Sequence, residues 1–195
     1  MRKSCMMLDI RAFDAEGKEI FREYKEDDLF LWNWGCYLAH WLKRSINTSD
    51  STLYGAKDEN GNDVNFGGTV FHASSQEGTG DGNVGNWANT MKAAVGGGSV
   101  APAITDYQLG QKWQEVMPTA PKLIVAGSIL KILFSASFPF AAETICSEVG
   151  LVMKGAYGTS AARFFMTRDT FTPVTVPAGG SLTVQFELWF NGTPS

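Results

Sequence analysis

Between Leu182 and Phe190 apolar and polar positions alternate: Leu182, Val184, Phe186, Leu188 and Phe190 share one face, and Thr183, Gln185, Glu187 and Trp189 the other. A period of two marks a half-buried strand. Just upstream, Pro173 and Pro177 bracket Val174-Thr175-Val176, a piece that cannot lie inside a helix and is placed at a sheet edge. The same alternation recurs where Leu130, Ile132, Phe134, Ala136 and Phe138 interleave with Lys131, Ser135 and Ser137. Ile145, Val149 and Leu151 are expected to share a face of the next strand. Further strands are expected near Met91 to Val95, Trp113 to Val116, Leu123 to Ala126, Ala162 to Thr167, and in an opening hairpin of Met6 to Phe13 and Glu19 to Lys25 turned at Gly17.

One segment follows a different period. In LFLWNWGCYLAHWLKRSI, Leu31, Trp34, Leu38, Trp41 and Leu42 recur at helical spacing, with Asp27 and Asp28 before them and Lys43 and Arg44 behind, as the helix dipole favours. Aromatics at that spacing, Trp32, Trp34, Tyr37 and Trp41, are read as core before they are read as a sugar platform. Thr52 to Lys57 and Val64 to Phe66 flank the turn Asp58-Glu59-Asn60-Gly61-Asn62-Asp63, which predicts a second hairpin. Its oxygens invite a calcium reading, but Asp63 and Thr69 stand where an EF-hand loop needs its glycine and its bidentate Glu. Gly67 to Asn89 has no apolar period and reads as a long Gly/Ser/Asn loop. Gly80-Asp81-Gly82-Asn83-Val84-Gly85 within it matches G-x-G-x-x-G by letter, without the strand and helix that a dinucleotide site requires. Thr105 is placed to cap a short helical turn that Gly110 ends.

The pattern therefore predicts a mainly β chain: an antiparallel β-sandwich, jelly-roll-like, with one N-terminal amphipathic helix. All 195 residues fit one domain, with 1–66 holding hairpin, helix and second hairpin, 67–89 the loop, and 90–195 the sandwich core. The apolar run from Leu123 to Ala142 is long enough to span a membrane, but Lys131 at its centre, Gly127 and Pro139 split it into strand-length pieces.

Composition sharpens this picture little. A net charge of -4 with no run of Lys or Arg gives nucleic acid no electrostatic grip. Cys5, Cys36 and Cys146 form no C-x-x-C pair and predict neither a zinc site nor a disulfide framework. Asp9 and Arg11 interrupt what would be a signal peptide's apolar core, so synthesis and retention in the producer's cytoplasm are expected. His40 and His72 lie in neither H-E-x-x-H nor any nucleophile context, and there is no G-x-S-x-G. Glu143, Glu148 and Asp169 are the carboxylates a hydrolase could use, while Arg168-Asp169 is expected as a local ion pair at a strand end. Asn47 and Asn191 sit in chance sequons. No catalytic, cofactor-binding or metal residue is named, and no enzyme activity or cofactor is expected.

Three pieces in fixed order carry a resemblance: Ile104-Thr105-Asp106-Tyr107-Gln108-Leu109-Gly110, then Ser147-Glu148-Val149-Gly150-Leu151, then Arg168 to Val184, reading RDTFTPVTVPAGGSLTV. The order resembles a carboxy-terminal domain recurring in virion structural proteins of tailed phages and related archaeal viruses, over roughly residues 90 to 190. Against that pattern, Gly96-Gly97-Gly98 replaces a Gly-Thr-Gly, and the loop from Gly67 to Asn89 looks like an insertion. The resemblance implies a non-enzymatic part of a virus particle, a capsid decoration or cement protein or a tail or baseplate component. Its partners would be further copies of itself in a symmetric homo-oligomer and other virion proteins, with neither nucleic acid nor membrane. Its place would be the virion, assembled in the host cytoplasm. Two other classes remain. A receptor- or glycan-binding module, of tail-fibre type, would stack host-surface glycans on Trp32, Trp87 or Trp113, and a polysaccharide hydrolase would use Glu148 and Asp169. The loop from Gly67 to Asn89 and the first hairpin, the least self-sufficient parts of the chain, are expected to carry inter-subunit contacts. Deleting Ser74 to Val84 is expected to leave a folded monomer with weakened assembly.

Overall fold

The computed structural model describes residues 5–26, 56–64, 91–126, 129–157 and 160–191. Among them the chain forms β1 (Cys5–Phe13), β2 (Glu19–Lys25), β3 (Ala56–Lys57), β4 (Asp63–Val64), β5 (Met91–Gly96) and β6 (Lys112–Val116). It continues with β7 (Lys122–Ala126), β8 (Ile129–Pro139), β9 (Thr144–Tyr157), β10 (Ser160–Val176) and β11 (Ser181–Asn191). The architecture is mainly β, with two large antiparallel sheets, a two-stranded β3-β4 hairpin, and no helix among the described residues. The amphipathic helix and the glycine-rich loop expected from the sequence lie outside the described residues.

The five-stranded sheet runs β2-β1-β11-β8-β7. Its inner face follows from the alternation in β11. Met6, Leu8, Ile10 and Ala12 stand opposite Leu188, Phe186, Val184 and Leu182 on one side. On the other side the same β11 residues meet Ile132, Phe134, Ala136 and Phe138. In the middle of this ladder Val184 lies between Ile10 and Ala136, and in the next row Phe186 lies between Leu8 and Phe134, the two rings stacked with centroids 5.2 Å apart. The four-stranded sheet runs β10-β9-β5-β6. Ala93, Val95, Val149, Leu151, Met166, Val174 and Val176 enter the same buried cluster as the inner residues of the first sheet, so both sheets share one core.

The opening hairpin is no appendage. Gly17 takes the left-handed φ of 80° that its turn requires, and β1 lies between β2 and β11 with Leu8 and Ile10 fully buried. Lys25 on β2 reaches across to β10, donating to Asp169 Oδ1 at 2.9 Å and to the Thr170 carbonyl. The Thr172 N–H donates to Glu23 Oε2 at 2.9 Å, a second tie between the sheets. The idea that this hairpin is poorly self-sufficient is therefore corrected by its packing.

Other expectations change in detail. The apolar run from Leu123 to Ala142 does divide, its parts forming the neighbouring antiparallel strands β7 and β8. Among the described residues no helix is long and apolar enough to cross a membrane. Val174 to Val176 does not stand alone but ends β10, an edge strand, past a register shift between Thr170 and Val174 that accommodates Pro173. Ile145 is exposed while Val149 and Leu151 are buried, because that same irregularity breaks the alternation and turns Cys146 inward instead. Thr105 caps no helical turn. It sits in a tight turn closed by the Asp106 N–H on the Ala103 carbonyl at 2.9 Å, with the Ala103 N–H returning to Asp106 Oδ2 at 2.8 Å. In the second hairpin, β3 and β4 are two residues each, and Asp58 Oδ1 accepts the N–H groups of Asn60 and Asn62 at 2.9 and 2.8 Å.

Asp9 sits between Leu8 and Ile10, so it faces outward, yet it is almost wholly covered. Arg22 closes on it with Nε and one terminal nitrogen at 3.0 Å each, and Arg11 does so from its own strand. Burial opposes ionisation here, but the hydrogen bonds and charges of Arg11 and Arg22 outweigh it and hold the carboxyl below its usual range. A carboxyl depressed in the folded state stabilises the fold above its unfolded value of about 3.9, and that contribution disappears as pH falls through the folded value. Unfolding free energy measured in urea is therefore expected to be level from neutrality to about pH 5 and to drop below about pH 4. Asp9→Asn is expected to be less stable at neutral pH and to show a shallower acid limb.

Candidate functional site

The most concentrated polar feature lies on the outer face of the four-stranded sheet. Val149 and Leu151 point into the core, so Glu148 and Gly150 point outward on β9. On β10 Thr170 pairs with Glu148 and Arg168 with Gly150, which places Arg168 diagonally beside Glu148 on that outer face. The segment 97–111 covers both. Leu109 joins Ala94, Val152 and Phe165 in a second, smaller apolar cluster there.

Under this cover Glu148 is fully buried and both its oxygens are occupied. Oε1 accepts the N–H groups of Gly98 at 2.8 Å and Gln111 at 2.7 Å. Oε2 accepts the Gly110 N–H at 2.9 Å and Arg168 Nε at 3.2 Å. The Arg168 guanidinium spends its other nitrogens on Asp106 Oδ2 and on the Val100 carbonyl at 2.9 Å. Ser147 donates its hydroxyl to the Gly98 carbonyl at 2.9 Å. A buried carboxylate is tolerable only when paired and fully hydrogen-bonded, and here four donors meet that condition.

Two members of the glycine triplet, Gly96 and Gly98, are explained by this close approach. A Cβ on Gly98 would stand 2.5 Å from Glu148 Oε1, and one on Gly96 would stand 2.1 Å from the Gln111 carbonyl oxygen. Gly98→Ala is expected to destabilise the fold by about 1–3 kcal/mol in urea denaturation, since a clash with a locked carboxylate cannot relax cheaply.

Sequence-predicted residues separate in space. Arg168 and Asp169, expected as a pair, point to opposite faces because they are consecutive in a strand. Arg168 belongs to the outer cluster, and Asp169 pairs with Lys25 at 2.8 Å on the inner side. Glu143 is exposed ahead of β9, whereas Glu148 is fully buried. Trp113 is about half exposed, its indole N–H donated to the Ile145 carbonyl at 3.0 Å. Burial pushes the Cys146 thiol up to about 12. His40, His72, Trp32, Trp87, Cys36 and Asn47 lie outside the described residues.

A second ionic group joins residues distant in sequence. Glu59, in the turn between β3 and β4, pairs with Lys112 at 2.9 Å and with Arg163 at 3.7 Å. Both cations also pair with Glu115, whose carboxyl is held below its usual range: burial opposes ionisation, and Arg163 and Lys112 outweigh it. Its members lie up to 104 residues apart in sequence, from Glu59 to Arg163, so no local pattern could announce it.

No protein-family model, curated protein or solved structure matches this chain. The geometry must speak for itself. Glu148 has no exposed surface and each of its oxygens already accepts two hydrogen bonds, so a substrate cannot reach it without the 97–111 cover leaving. What the cluster can do is latch that cover to β9 and β10.

Proposed function

We propose that the chain is a non-enzymatic building block of a virus particle, a capsid decoration or cement protein or a tail or baseplate component, folded as a jelly-roll-like sandwich. One observation carries this reading. The three sequence pieces on which the resemblance to virion proteins rests all contribute to one cluster around buried Glu148: Asp106 and Gly110 from the first, Ser147 and Glu148 from the second, Arg168 from the third. Spatial convergence gives the pieces one common reason to occur in that order: together they fasten a cover segment to a sheet. The two carboxylates a hydrolase would need are instead held by structural partners, Glu148 by Arg168 and three backbone N–H groups and Asp169 by Lys25.

The reading is tested by light scattering with negative-stain microscopy on the purified chain across a concentration series. Rings, trimers or tubes of discrete size support it. A strict monomer at the highest concentration moves the weight to a receptor- or glycan-binding module, for which half-exposed Trp113 beside exposed Ile145 is the observation in favour. Quenching of tryptophan fluorescence by soluble glycans would then follow.

A further inference from the structure

The two large sheets have four edges, and an edge left open is a template for another strand. Three of the four are guarded. β2 carries Glu19, Arg22, Glu23 and Lys25, β6 carries Lys112 and Glu115, and β10 carries Arg163, Arg168, Asp169 and Pro173 with two register shifts. Charges, prolines and bulges are the usual means of blocking edge-to-edge pairing. The fourth edge, β7, reads Lys-Leu-Ile-Val-Ala and has no charge after Lys122. It ends the five-stranded sheet, and among the described residues no strand pairs with its outer side.

Its side chains are exposed on both faces. Leu123 and Val125 pair with Ile132 and Leu130 of β8 and so lie on the core side, yet they remain 67% and 72% exposed. Ile124 pairs with Lys131 on the outer side and is 41% exposed. The five-stranded sheet thus overhangs its partner sheet and leaves a bare apolar shelf on β7.

We propose that β7 is the seam through which two copies of this chain join, antiparallel, into one continuous sheet. The proposal rests on the building-block reading for the identity of the occupant; the strand geometry supplies the register. Opposite residues of an antiparallel pair share a face, so a two-fold axis perpendicular to the sheet must pass at a residue and not between residues. An axis at Ile124 is the one that engages the whole strand: Lys122 meets Ala126 of the other copy, Leu123 meets Val125, and Ile124 meets itself. No like charges oppose, and the core-side shelf of one copy continues into that of the other. The pairing is self-complementary as a two-fold contact demands. Five residues per copy make a small seam, so the isolated pair is weak and is reinforced when further contacts act together.

A self-facing residue allows a charge-exchange test. Ile124→Lys and Ile124→Glu each set like charges opposite one another and are expected to weaken self-association at least about tenfold in sedimentation velocity. A 1:1 mixture of the two is expected to recover the wild-type mass, because Lys now faces Glu. Far-UV circular dichroism and thermal midpoint verify that each variant folds, and Val125→Lys, at a more exposed position, serves if Ile124 variants do not. Wild-type self-association that persists in both single variants, or a mixture that stays dissociated, overturns the seam while leaving the building-block reading in place. A wild-type chain that never associates overturns both.

Discussion

Arg168→Ala is expected to lower the unfolding free energy by about 3–5 kcal/mol, the cost of leaving a buried charge without its partner. Arg168 is the only cation bonded to Glu148 among the described residues, and Glu148 is fully buried. Removing the guanidinium also takes away its hydrogen bonds to Asp106 and to the Val100 carbonyl. Equilibrium urea unfolding measures the loss. The neighbouring variant Glu148→Gln is also destabilising, since an amide nitrogen would be turned toward N–H donors that need an acceptor. Because both variants break the same contact, Arg168→Ala with Glu148→Gln is expected to cost less than the sum, by a coupling of about 1–3 kcal/mol. Strict additivity would mean that the two residues do not act as one latch.

Phe186→Ala is expected to cost a further class of stability, about 3–5 kcal/mol, by opening a cavity at the centre of the shared core. Phe186 has no exposed surface, stacks on Phe134, and lies between Leu8 and Phe134 in the cross-strand ladder. For a chain of this size the expected fall in thermal midpoint is roughly 6–20 °C. Phe186→Leu keeps most of the volume and is expected to cost less than about 1.5 kcal/mol. Equal losses from Ala and Leu would indicate that the ring's particular stacking, and not filled volume, holds the two sheets together.

The strands were legible because their signal is local. The alternation in β8 and β11 and the turn residues at Gly17 and Asn60-Gly61 each lie within a few positions, and the observed bounds of β1, β2, β8 and β11 follow them closely. What escaped reading depends on register between distant segments. Simple alternation puts Ile145 on the face of Val149, but the shift opposite Pro173 turns Cys146 inward instead. Adjacency in sequence suggests that Arg168 and Asp169 pair, whereas strand geometry sends them to opposite faces, toward Glu148 and Lys25 respectively. The buried cluster was half legible. Asp106, Glu148 and Arg168 all stood in the pieces that carried the resemblance, but nothing in their spacing told that they touch. The glycine triplet broke a strand in the sequence pattern; in space it gives the Glu148 carboxylate room to reach the Gly98 N–H.

The reading of the chain as a particle component is tested most directly by quantitative mass spectrometry of density-gradient-purified particles from the cells that produce it. The account predicts the chain in the particle band at a fixed stoichiometry to the other particle proteins, unchanged by a high-salt wash. A chain left wholly in the soluble fraction, with particles complete without it, would contradict the account.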